Sequence, residues 1–513
     1  MLDLGRSLIA AAERSPHALA LVDGTLRLSY ADLFARAARL VGGLDSLGLG
    51  HGDRLASALQ NRGEAAILHW ACQLAGIVIV PLNWRAKADE LDYCLADAEA
   101  RALVFQTVSA EAAAGSKTAA ALPRIAVGDA PGGSHRFDDL LGAAPSDLPR
   151  ARADDVSLML YTSGTTGRPK GVPRRHRAER AAALAHVAQN LYRRGERTLG
   201  VMPLYHTMGV RSLLAMALID GVFVCLPRFN AAAALALIAQ EQVTTLYLVP
   251  TLYHDLVHHP DFRRDDVASV RKLGFAGAPM TDALLQQLTR DVAPELFVNH
   301  YGSSEIYTVA INPDAPAKPG SAGRAGLNAR LRVVKLGADD PAALASQGEE
   351  GEIVCDLAGD EAFEGYWRRP DADAKALRGG WYFTGDTGYL DDDGDLFVTG
   401  RVDDMIITGG ENVSPVEIES LLSLHPGVVE VAVVGLPDAR WGQRVVAFVK
   451  SAEALDAAAL ERHCRESGLA DFKRPRDYVF VAEIPKSPVG KILRRKLAAG
   501  EYEPEPSCNK RAS

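Results

Sequence analysis

Tyr161-Thr-Ser-Gly-Thr-Thr-Gly-Arg-Pro-Lys170-Gly171 is the stretch that decides the fold and the chemistry of this chain. It overlaps the apolar run Leu158-Met-Leu-Tyr161, which predicts a buried strand. A strand that runs into a loop of Gly, Ser and Thr presents backbone N–H groups and hydroxyls to a polyphosphate. The spacing differs from that of the common P-loop, which ends in Gly-Lys-Ser/Thr. The sequence therefore predicts a phosphate-binding loop of another type, against the alternative of a flexible surface loop.

The length and composition are those of a multidomain globular enzyme. At 513 residues the chain is too long for one hydrophobic core, and its 48% apolar and 24% charged residues are ordinary for a soluble protein. The net charge of −9 argues against general affinity for nucleic acid or an anionic membrane, yet permits a local basic pocket. The six cysteines lack metal-type or disulfide-type spacing and indicate reduced thiols. With neither a signal peptide nor a stretch long enough to span a membrane, we expect a cytoplasmic enzyme.

The part of the chain before residue 400 alternates short strands with helices. The apolar or β-branched runs 75–82, 222–226, 243–249 and 296–301 predict buried strands, and 231–242 predicts a helix capped by Asn230. This alternation indicates α/β architecture with largely parallel sheets. Residues 107–154 are rich in Ala, Gly, Pro and Asp, and we expect irregular connections there.

A domain boundary is expected near residues 400–404. Upstream, 351–355 and 395–399 predict short antiparallel strands. Downstream, Ser414, Pro415 and Glu417 predict a helix start with a capping box. Strands over 428–434 and 445–449 and a helix over 455–467 follow. We therefore expect a large domain over 1–402, a small α+β domain over 403–499 and a disordered tail over 500–513.

Four further segments place reactive side chains after predicted strands or turns. They are Met202-Pro-Leu-Tyr-His206, Tyr301-Gly-Ser-Ser-Glu305, Trp381-Tyr-Phe-Thr-Gly-Asp386 and Lys486-Ser-Pro-Val-Gly-Lys491. Ligands of open α/β sheets lie outside the carboxyl ends of the strands, where such loops converge. Taken singly, Lys491 is more typical of a solvated helix start and His206 of a core histidine. Together with the phosphate loop they favour one catalytic site.

The order and content of these segments resemble the adenylate-forming superfamily of acyl-CoA synthetases, adenylation domains and luciferases, from about residue 5 to 497. Within it, the chain is most similar to aryl-CoA ligases of the 4-chlorobenzoate–CoA ligase type. Supporting stretches are 400–412, 440–443 and 470–475. The resemblance implies an α/β fold in which the large domain also has a β-barrel-like part and the small domain is mobile.

The resemblance assigns ATP-binding and catalytic roles residue by residue. It implies that Glu305 binds Mg²⁺, that Ser304 contacts the α-phosphate, and that Lys491 bridges the substrate carboxylate and that phosphate. His206 would lie between the acyl pocket and the thiol channel, and Asp403 would be the hinge of the small domain. The remaining ATP- or AMP-binding positions are Thr162, Ser163, Gly164, Thr165, Thr166, Gly167, Lys170, Gly277, Ala278, Pro279, Tyr301, Gly302, Ser303, Asp386 and Arg401.

The chemistry of adenylate formation requires these residue types. A carboxylate that attacks an α-phosphate brings two anions together, so donors and cations must face the developing charge. Mg²⁺ takes oxygen ligands and keeps several waters, so one carboxylate suffices. A surface ion pair with Arg401 is the simpler interpretation of Asp403, and its role as a hinge rests on the resemblance.

The same resemblance implies a CoA site and an acyl pocket. The CoA positions are Arg85, Gly409, Gly410, Trp441, Phe472 and Arg474. The acyl pocket positions are Ala185, Thr207, Met208, Tyr247, Ala278, His300, Gly302, Tyr307 and Thr308. Tyr247, His300, Tyr307 and Thr308 are more polar than their counterparts in the chlorobenzoate ligases, which favours an acid that carries a hydrogen-bonding atom.

The sequence thus predicts an AMP-forming acyl-CoA synthetase for a small aromatic or heteroaromatic acid, with ATP, Mg²⁺ and CoA. An aliphatic or medium-chain acyl-CoA synthetase, an adenylation enzyme that loads a carrier protein and a non-catalytic binding protein of the same fold stay open. No nucleic-acid or membrane partner is expected, and a homodimer is left open. The exact acid, the pathway and the regulation are not encoded in these motifs.

Overall fold

The computed structural model describes residues 2–146, 148–162, 168–452, 455–486 and 492–505, without the side chains of Asp403 and Asn412. Six residues with predicted roles lie outside this description: Ser163, Gly164, Thr165, Thr166, Gly167 and Lys491. The same holds for the hinge side chain of Asp403.

The large domain is built of α/β units. Its helices are α1 Leu4–Arg14, α2 Tyr30–Ser46, α3 Gly63–Ala75, α4 Ala88–Asp97, α5 Ala110–Gly115, α6 Lys117–Ala120, α7 Phe137–Leu140, α8 His176–Gln189, α9 Thr207–Leu218, α10 Ala231–Glu241, α11 Pro250–Val257, α12 Asp282–Asp291 and α13 Pro370–Ala376. Its strands are β1 Leu19–Asp23, β2 Leu26–Ser29, β3 Arg54–Ala58, β4 Val78–Pro81, β5 Ala102–Phe105, β6 Arg124–Ala126, β7 His135–Arg136, β8 Val156–Thr162, β9 Lys170–Arg175, β10 Arg197–Gly200, β11 Val222–Cys225, β12 Thr245–Leu248, β13 Lys272–Phe275, β14 Leu296–Tyr301, β15 Ala310–Asn312, β16 Ser321–Ala325, β17 Leu331–Lys335, β18 Gly351–Asp356, β19 Leu377–Arg378, β20 Trp381–Leu390 and β21 Leu396–Arg401. Short 3₁₀ turns are Thr107–Ser109, Arg264–Val267 and Val402–Asp404.

The described part of the large domain contains two sheets. One has the strand order β7-β6-β5-β3-β4-β8-β9 and is parallel except for the β8–β9 pair. The other has the order β2-β1-β11-β10-β12-β13-β14, which continues through antiparallel strands as β15-β16-β21-β20-β18-β17. Its central strands β11, β12 and β13 are buried along their whole length, as expected for parallel strands covered on both faces. The predicted α/β class is confirmed.

Two predictions about the large domain need correction. Among the described residues, β15 to β21 extend the second sheet and do not close into a barrel. Residues 107–154 also contain regular structure rather than irregular connections only. The short run Arg124–Ala126 pairs with β5 and His135–Arg136 pairs with β6, so tertiary pairing creates strands that composition did not indicate.

The small domain is a separate sheet with helices packed on it. Its strands are β22 Ile406–Thr408, β23 Glu411–Val413, β24 Val428–Asp438, β25 Gly442–Ser451 and β26 Asp477–Phe480, and its helices are α14 Pro415–Ser423, α15 Ala457–Glu466 and α16 Arg494–Ala498. Apolar side chains of α14, α15 and the sheet make one buried core, which includes Ile418, Val433 and Cys464. The strands are ordered β23-β22-β25-β24, and β26 pairs with β25.

The helix caps test the local predictions. Asn230 accepts a hydrogen bond from the Ala233 N–H and caps α10, as predicted. The predicted capping box at Ser414 is wrong. The Ser414 hydroxyl donates to the Thr399 carbonyl of the neighbouring domain, and Glu417 pairs with Lys473 at 2.7 Å. The described residues contain no helix that is both long and apolar enough to cross a membrane.

Candidate active site

The phosphate-loop sequence connects the antiparallel strands β8 and β9. Thr162 and Lys170 are paired in register, so the described ends of the two strands lie side by side. Both strand ends are tied to α4. The Tyr161 hydroxyl donates to Asp97 Oδ2 at 2.6 Å, and the Tyr93 hydroxyl donates to the Pro169 carbonyl at 3.0 Å. The entry and exit of the loop are therefore fixed.

Lys170 and Glu305 meet around the ring of Tyr366. The Tyr366 hydroxyl donates to Glu305 Oε1 at 2.7 Å, and Lys170 Nζ lies 4.0 Å from the centroid of the same ring. Glu305 is only 6% exposed. Burial lowers the pKa of Lys170, and the nearby Glu305 carboxylate opposes that shift. One aromatic ring thus places a half-buried ammonium, which suits a phosphate oxygen, beside a buried carboxylate, which suits Mg²⁺.

The turn before Glu305 is tight. The Ser303 N–H donates to the Ile306 carbonyl at 2.8 Å, and the Ser303 hydroxyl accepts from the Glu305 and Ile306 N–H groups at 3.3 Å. A Cβ on Gly302 would lie 2.2 Å from the Tyr307 carbonyl oxygen, so only glycine fits there. Ser304 lies in the same turn and is partly exposed at the end of β14.

Tyr301, Asp386 and Arg401 form one connected group. The Tyr301 hydroxyl donates to Asp386 Oδ2 at 2.7 Å, and Arg401 Nη1 donates to Oδ1 of the same carboxylate at 2.7 Å. Asp386 and Arg401 are register partners on β20 and β21. Gly385 has a φ of +71°, and a Cβ there would lie 2.9 Å from Arg401 Nη2. Arg401 therefore pairs with Asp386, and its predicted surface pairing with Asp403 lies outside the described residues, because the Asp403 side chain is not described.

The other predicted nucleotide-side residues lie at the same edge of the second sheet. Gly277, Ala278 and Pro279 follow β13 directly, and Gly277 has a φ of +84°. His206 follows β10 and is the N-cap of α9, where its Nδ1 accepts from the Met208 N–H at 3.4 Å. The carboxyl ends of the parallel strands thus bring the predicted segments together.

The predicted acyl-pocket residues lie on α8, α9, β12 and the segment around β14. Seven of them are buried, and Ala278 and Gly302 are partly exposed; the buried ones are Ala185, Thr207, Met208, Tyr247, His300, Tyr307 and Thr308. The rings of Tyr247 and His300 have centroids 5.1 Å apart, and His186 lies 4.7 Å from Tyr247. Aromatic and imidazole rings therefore line this side of the site.

A buried cluster of four charges lies directly behind these rings. Arg211 Nη1 donates to Thr308 Oγ1 at 2.6 Å, and Arg211 Nη2 donates to the Tyr247 hydroxyl. Arg174 Nε donates to Glu179 Oε1 at 2.7 Å, and both side chains are fully buried. The fourth member, Glu361, accepts from the Thr308 N–H at 3.0 Å.

This cluster engages three of the four polar side chains that the sequence assigned to substrate recognition. The hydroxyls of Tyr247 and Thr308 are partners of Arg211. Tyr307 lies below the Arg174 guanidinium at 4.2 Å, and burial followed by the Glu179 charge raises the pKa of its hydroxyl well above the ordinary value. The His300 Nδ1 nitrogen and the Tyr307 hydroxyl are both buried without a hydrogen-bond partner in the described part of the chain.

A cavity of about 520 Å³ separates the large domain from the small one. Trp84 and Arg85 line it from the large domain, and the Arg85 guanidinium lies 4.0 Å above the Trp84 ring. Glu430, Lys450 and Lys486 line it from the small domain. The cavity wall therefore includes the segment that leads toward Lys491.

The other predicted CoA positions do not line this cavity. The Gly409 N–H donates to the Trp441 carbonyl at 2.8 Å, and a Cβ on Gly409 would lie 3.0 Å from the Trp441 ring. Phe472 is 37% exposed, and Arg474 is paired with Asp471. Gly410 follows with a φ of +87°. The structure thus separates Arg85 from the CoA positions of the small domain.

The residues that flank Lys491 are anchored. Lys486 and Ile492 pair as an antiparallel bridge, and Lys486 Nζ lies 2.8 Å from Glu430 Oε2. Arg494 donates to both oxygens of Glu419 at 2.7 and 2.8 Å. The described residues on either side of 487–491 are therefore anchored within the small domain.

Sequence reasoning missed five residues that build the site: His186, Asn190, Arg211, Glu361 and Tyr366. A signal existed for Arg211, because it is a lone charge in the otherwise apolar helix α9. His186 and Asn190 are four residues apart and share a helix face, which sequence spacing also indicates. Glu361 and Tyr366 carry no local signal, since their partners are far away in the sequence.

Comparison with known proteins agrees with this arrangement. The family model described as "AMP-binding enzyme" matches residues 8–367, and the model described as "AMP-binding enzyme C-terminal domain" matches residues 417–491. A 4-chlorobenzoate–CoA ligase from Arthrobacter sp is 35% identical over 95% of this chain and 93% of its own length. A feruloyl-CoA synthase from Amycolatopsis sp is 37% identical over 96% of this chain and 98% of its own length.

Relatives named for other acids also match. A long-chain-fatty-acid–CoA ligase from Mycobacterium tuberculosis is 33% identical over 97% of this chain and 98% of its own length. Among solved structures, ATP-bound MatB from Rhodopseudomonas palustris has a TM-score of 0.87 and 30% identity, covering 97% of this chain and 98% of that one.

Proposed function

The chain belongs to the AMP-binding enzyme family, within its adenylate-forming acyl-CoA ligases, and from that premise we propose that it couples a small aromatic or heteroaromatic acid to CoA. The cofactors and co-substrates of such ligases are ATP, Mg²⁺ and CoA. In the first step a carboxylate oxygen of the acid bonds to the α-phosphorus of ATP, and pyrophosphate leaves with the electron pair. In the second step the CoA thiol loses its proton and its sulfur bonds to the acyl carbon, while the bond from that carbon to the phosphate oxygen breaks and AMP leaves with the electron pair.

One observation carries the choice of a small aromatic acid. The rings of Tyr247, His186 and His300 line the acyl side. Behind them lie the buried charges of Arg211 and Glu361 and the buried ion pair Arg174–Glu179. A long alkyl chain needs an apolar channel, and displacing buried charges that are mutually compensated costs several kcal/mol, about 3–5 for each broken pair. A short, flat acid fits in front of that cluster.

The nucleotide side supports adenylation by residues whose contacts are given above. Lys170 and the loop it closes would hold the β- and γ-phosphates, and Ser304 would contact the α-phosphate. Tyr301 would pack on the adenine, with Asp386 and Arg401 at the ribose hydroxyls. Glu305 would hold Mg²⁺, and the ion supplies charge neutralisation of the phosphates when it is bound.

The small domain would complete each step in turn. Lys491, which follows the cavity-lining Lys486 by five positions in the sequence, would bridge the acid and the α-phosphate during adenylation. Because Gly409 and Trp441 lie away from that cavity, thioester formation would require rotation about Asp403. His206 would then lie between the acyl pocket and the thiol channel.

The test is thioester formation from free CoA, measured by chromatography with purified enzyme, ATP, Mg²⁺ and a panel of benzoic acids. We expect equal amounts of AMP and aryl-CoA, and a Glu305→Gln variant should lose both products. Adenylate formation without transfer to free CoA would instead favour an enzyme that loads a carrier protein. Products from aliphatic acids alone would contradict the pocket argument.

A further inference from the structure

Asn190 fixes the proton positions of two buried histidines. Its Nδ2 donates to the His186 backbone carbonyl at 2.8 Å, and since a carbonyl only accepts, the amide orientation is determined. The same Nδ2 lies 3.0 Å from His186 Nδ1, which must therefore accept. Asn190 Oδ1 lies 3.1 Å from His300 Nε2, which must therefore donate.

Both histidines are neutral. Burial, followed by the charge of Arg211, lowers the pKa of His186 and of His300 well below the ordinary value. A neutral imidazole has one donor and one acceptor nitrogen. His186 Nε2 therefore carries a proton, and His300 Nδ1 carries a lone pair.

These two atoms have no protein partner among the described residues. His186, Asn190 and His300 are each at least 98% buried, and both His186 Nε2 and His300 Nδ1 lack a hydrogen bond. Leaving a buried polar atom unpaired is costly, and such atoms in native structures indicate an absent ligand or water.

The pair lies at the acyl side of the site. His300 directly precedes Tyr301 at the carboxyl end of β14, and the His186 and His300 ring centroids are 5.3 Å apart. Gly274 lies on the strand between Tyr247 and His300, and a Cβ there would lie 3.0 Å from the Tyr247 ring and 3.4 Å from Asn190 Oδ1. Because glycine has no side chain, Tyr247 and Asn190 can pack closely against the strand at Gly274.

We propose that His186 Nε2 and His300 Nδ1 recognise a hydroxyl substituent, so that the preferred substrate is a hydroxy-substituted aromatic acid. The inference rests on the proposed function and narrows its substrate class. A hydroxyl accepts from His186 Nε2–H and donates to His300 Nδ1. An ether oxygen can only accept, an aromatic amine mainly donates, and an unsubstituted ring does neither. Asn190 acts as a positioning residue.

The test compares kcat/KM for acid-dependent ATP–pyrophosphate exchange among unsubstituted, hydroxy-, methoxy- and amino-benzoic acids, with each substituent at every ring position. For the wild-type enzyme we expect one hydroxy acid to exceed the unsubstituted acid by roughly 10- to 100-fold, and also to exceed its methoxy and amino counterparts. This comparison needs no variant and so does not depend on how a variant folds.

Variants then assign the preference to the histidines. His300→Leu and Asn190→Leu should each reduce the ratio of hydroxy to unsubstituted acid to below about threefold. His300→Gln should restore part of it, because glutamine keeps an acceptor. A purely structural role would change both acids equally and leave the ratio intact. His258→Leu, at an exposed position, is the matched control and should keep the wild-type ratio.

The outcomes separate this inference from the proposed function. Exchange with several aromatic acids but no hydroxyl preference, or a preference that persists in His300→Leu, overturns the inference and leaves the proposed function standing. No exchange with any aromatic acid overturns the proposed function.

Discussion

Tyr366 is expected to tune Mg²⁺ binding through Glu305, and a Tyr366→Phe variant isolates this effect. The substitution removes the hydroxyl that donates to Glu305 Oε1 at 2.7 Å. It retains the ring, above which Lys170 lies at 4.0 Å. The change therefore alters the orientation of the carboxylate without removing the aromatic contact of the ammonium.

The expected magnitude follows from the charge of the acceptor. A hydrogen bond to a charged group contributes about 1.5–3 kcal/mol, and about 1.4 kcal/mol corresponds to a factor of ten. Loss of a partner that orients a metal-binding carboxylate typically costs roughly 10- to 100-fold in metal affinity or activity. We expect the Mg²⁺ concentration for half-maximal exchange to rise by about tenfold or more.

The assay is acid-dependent ATP–pyrophosphate exchange measured over a Mg²⁺ titration at saturating acid. Tyr366→Leu, which removes the ring as well, should lose more activity, because the Lys170 contact is lost too. Tyr389→Phe is a matched control, since Tyr389 stacks on Phe397 away from Glu305. An unchanged Mg²⁺ dependence in Tyr366→Phe would refute the positioning role.

Three further predictions concern stability, nucleotide binding and domain motion. The free energy of unfolding should fall as the pH drops from 6.5 toward 4. Burial lowers the pKa of His176 to about 4 and of His69 to about 3, so these histidines take up protons in the unfolded chain at a higher pH than in the folded one. A melting temperature that stays constant between pH 7 and 5 would contradict this. Asp386→Asn should raise KM for ATP by about tenfold, because it weakens the charge-assisted hydrogen bond from Tyr301 and the hydrogen bonds to the ribose hydroxyls. An unchanged KM for ATP in the exchange assay would exclude a role of Asp386 in ribose binding. Asp403→Pro should reduce thioester formation more than pyrophosphate exchange, and an equal loss of both would count against the hinge.

The sequence predicted the parts of the site that depend on local pattern. The apolar run before residue 162 became β8, Asn230 capped α10, and Tyr301 and Glu305 followed a buried strand. These features depend on neighbouring residues only, because an apolar run followed by polar loop residues can be recognised in the sequence itself. The family resemblance identified the same residues from the content of those loops.

The sequence did not predict contacts that depend on tertiary pairing. Ser414 has the local environment of a helix cap, yet its hydroxyl donates across the domain boundary to Thr399. Tyr366 reaches Glu305 over 61 positions of the chain, and Arg211 reaches Thr308 over 97. Such pairings follow from packing of distant elements, and no local periodicity encodes them.

The buried charges also changed how the pocket residues are interpreted. The family resemblance places Tyr247 and Thr308 in the acyl pocket, and their polarity favoured contact with the substrate, but the structure pairs both with Arg211. Each of these two hydroxyls accepts from Arg211 and keeps its own proton. His186 Nε2, His300 Nδ1 and the Tyr307 hydroxyl are buried without a protein partner among the described residues, and the contacts of Asn190 show which of the two ring nitrogens donates.

The most direct test of the central claim is acid-dependent ATP–pyrophosphate exchange with the wild-type enzyme, comparing benzoates, hydroxybenzoates, chlorobenzoates and furoate with straight-chain acids. It reports adenylation without assuming any thiol acceptor. We predict strong exchange with at least one aromatic acid and little with straight-chain acids. Exchange that depends only on aliphatic acids would contradict the account of the acyl pocket.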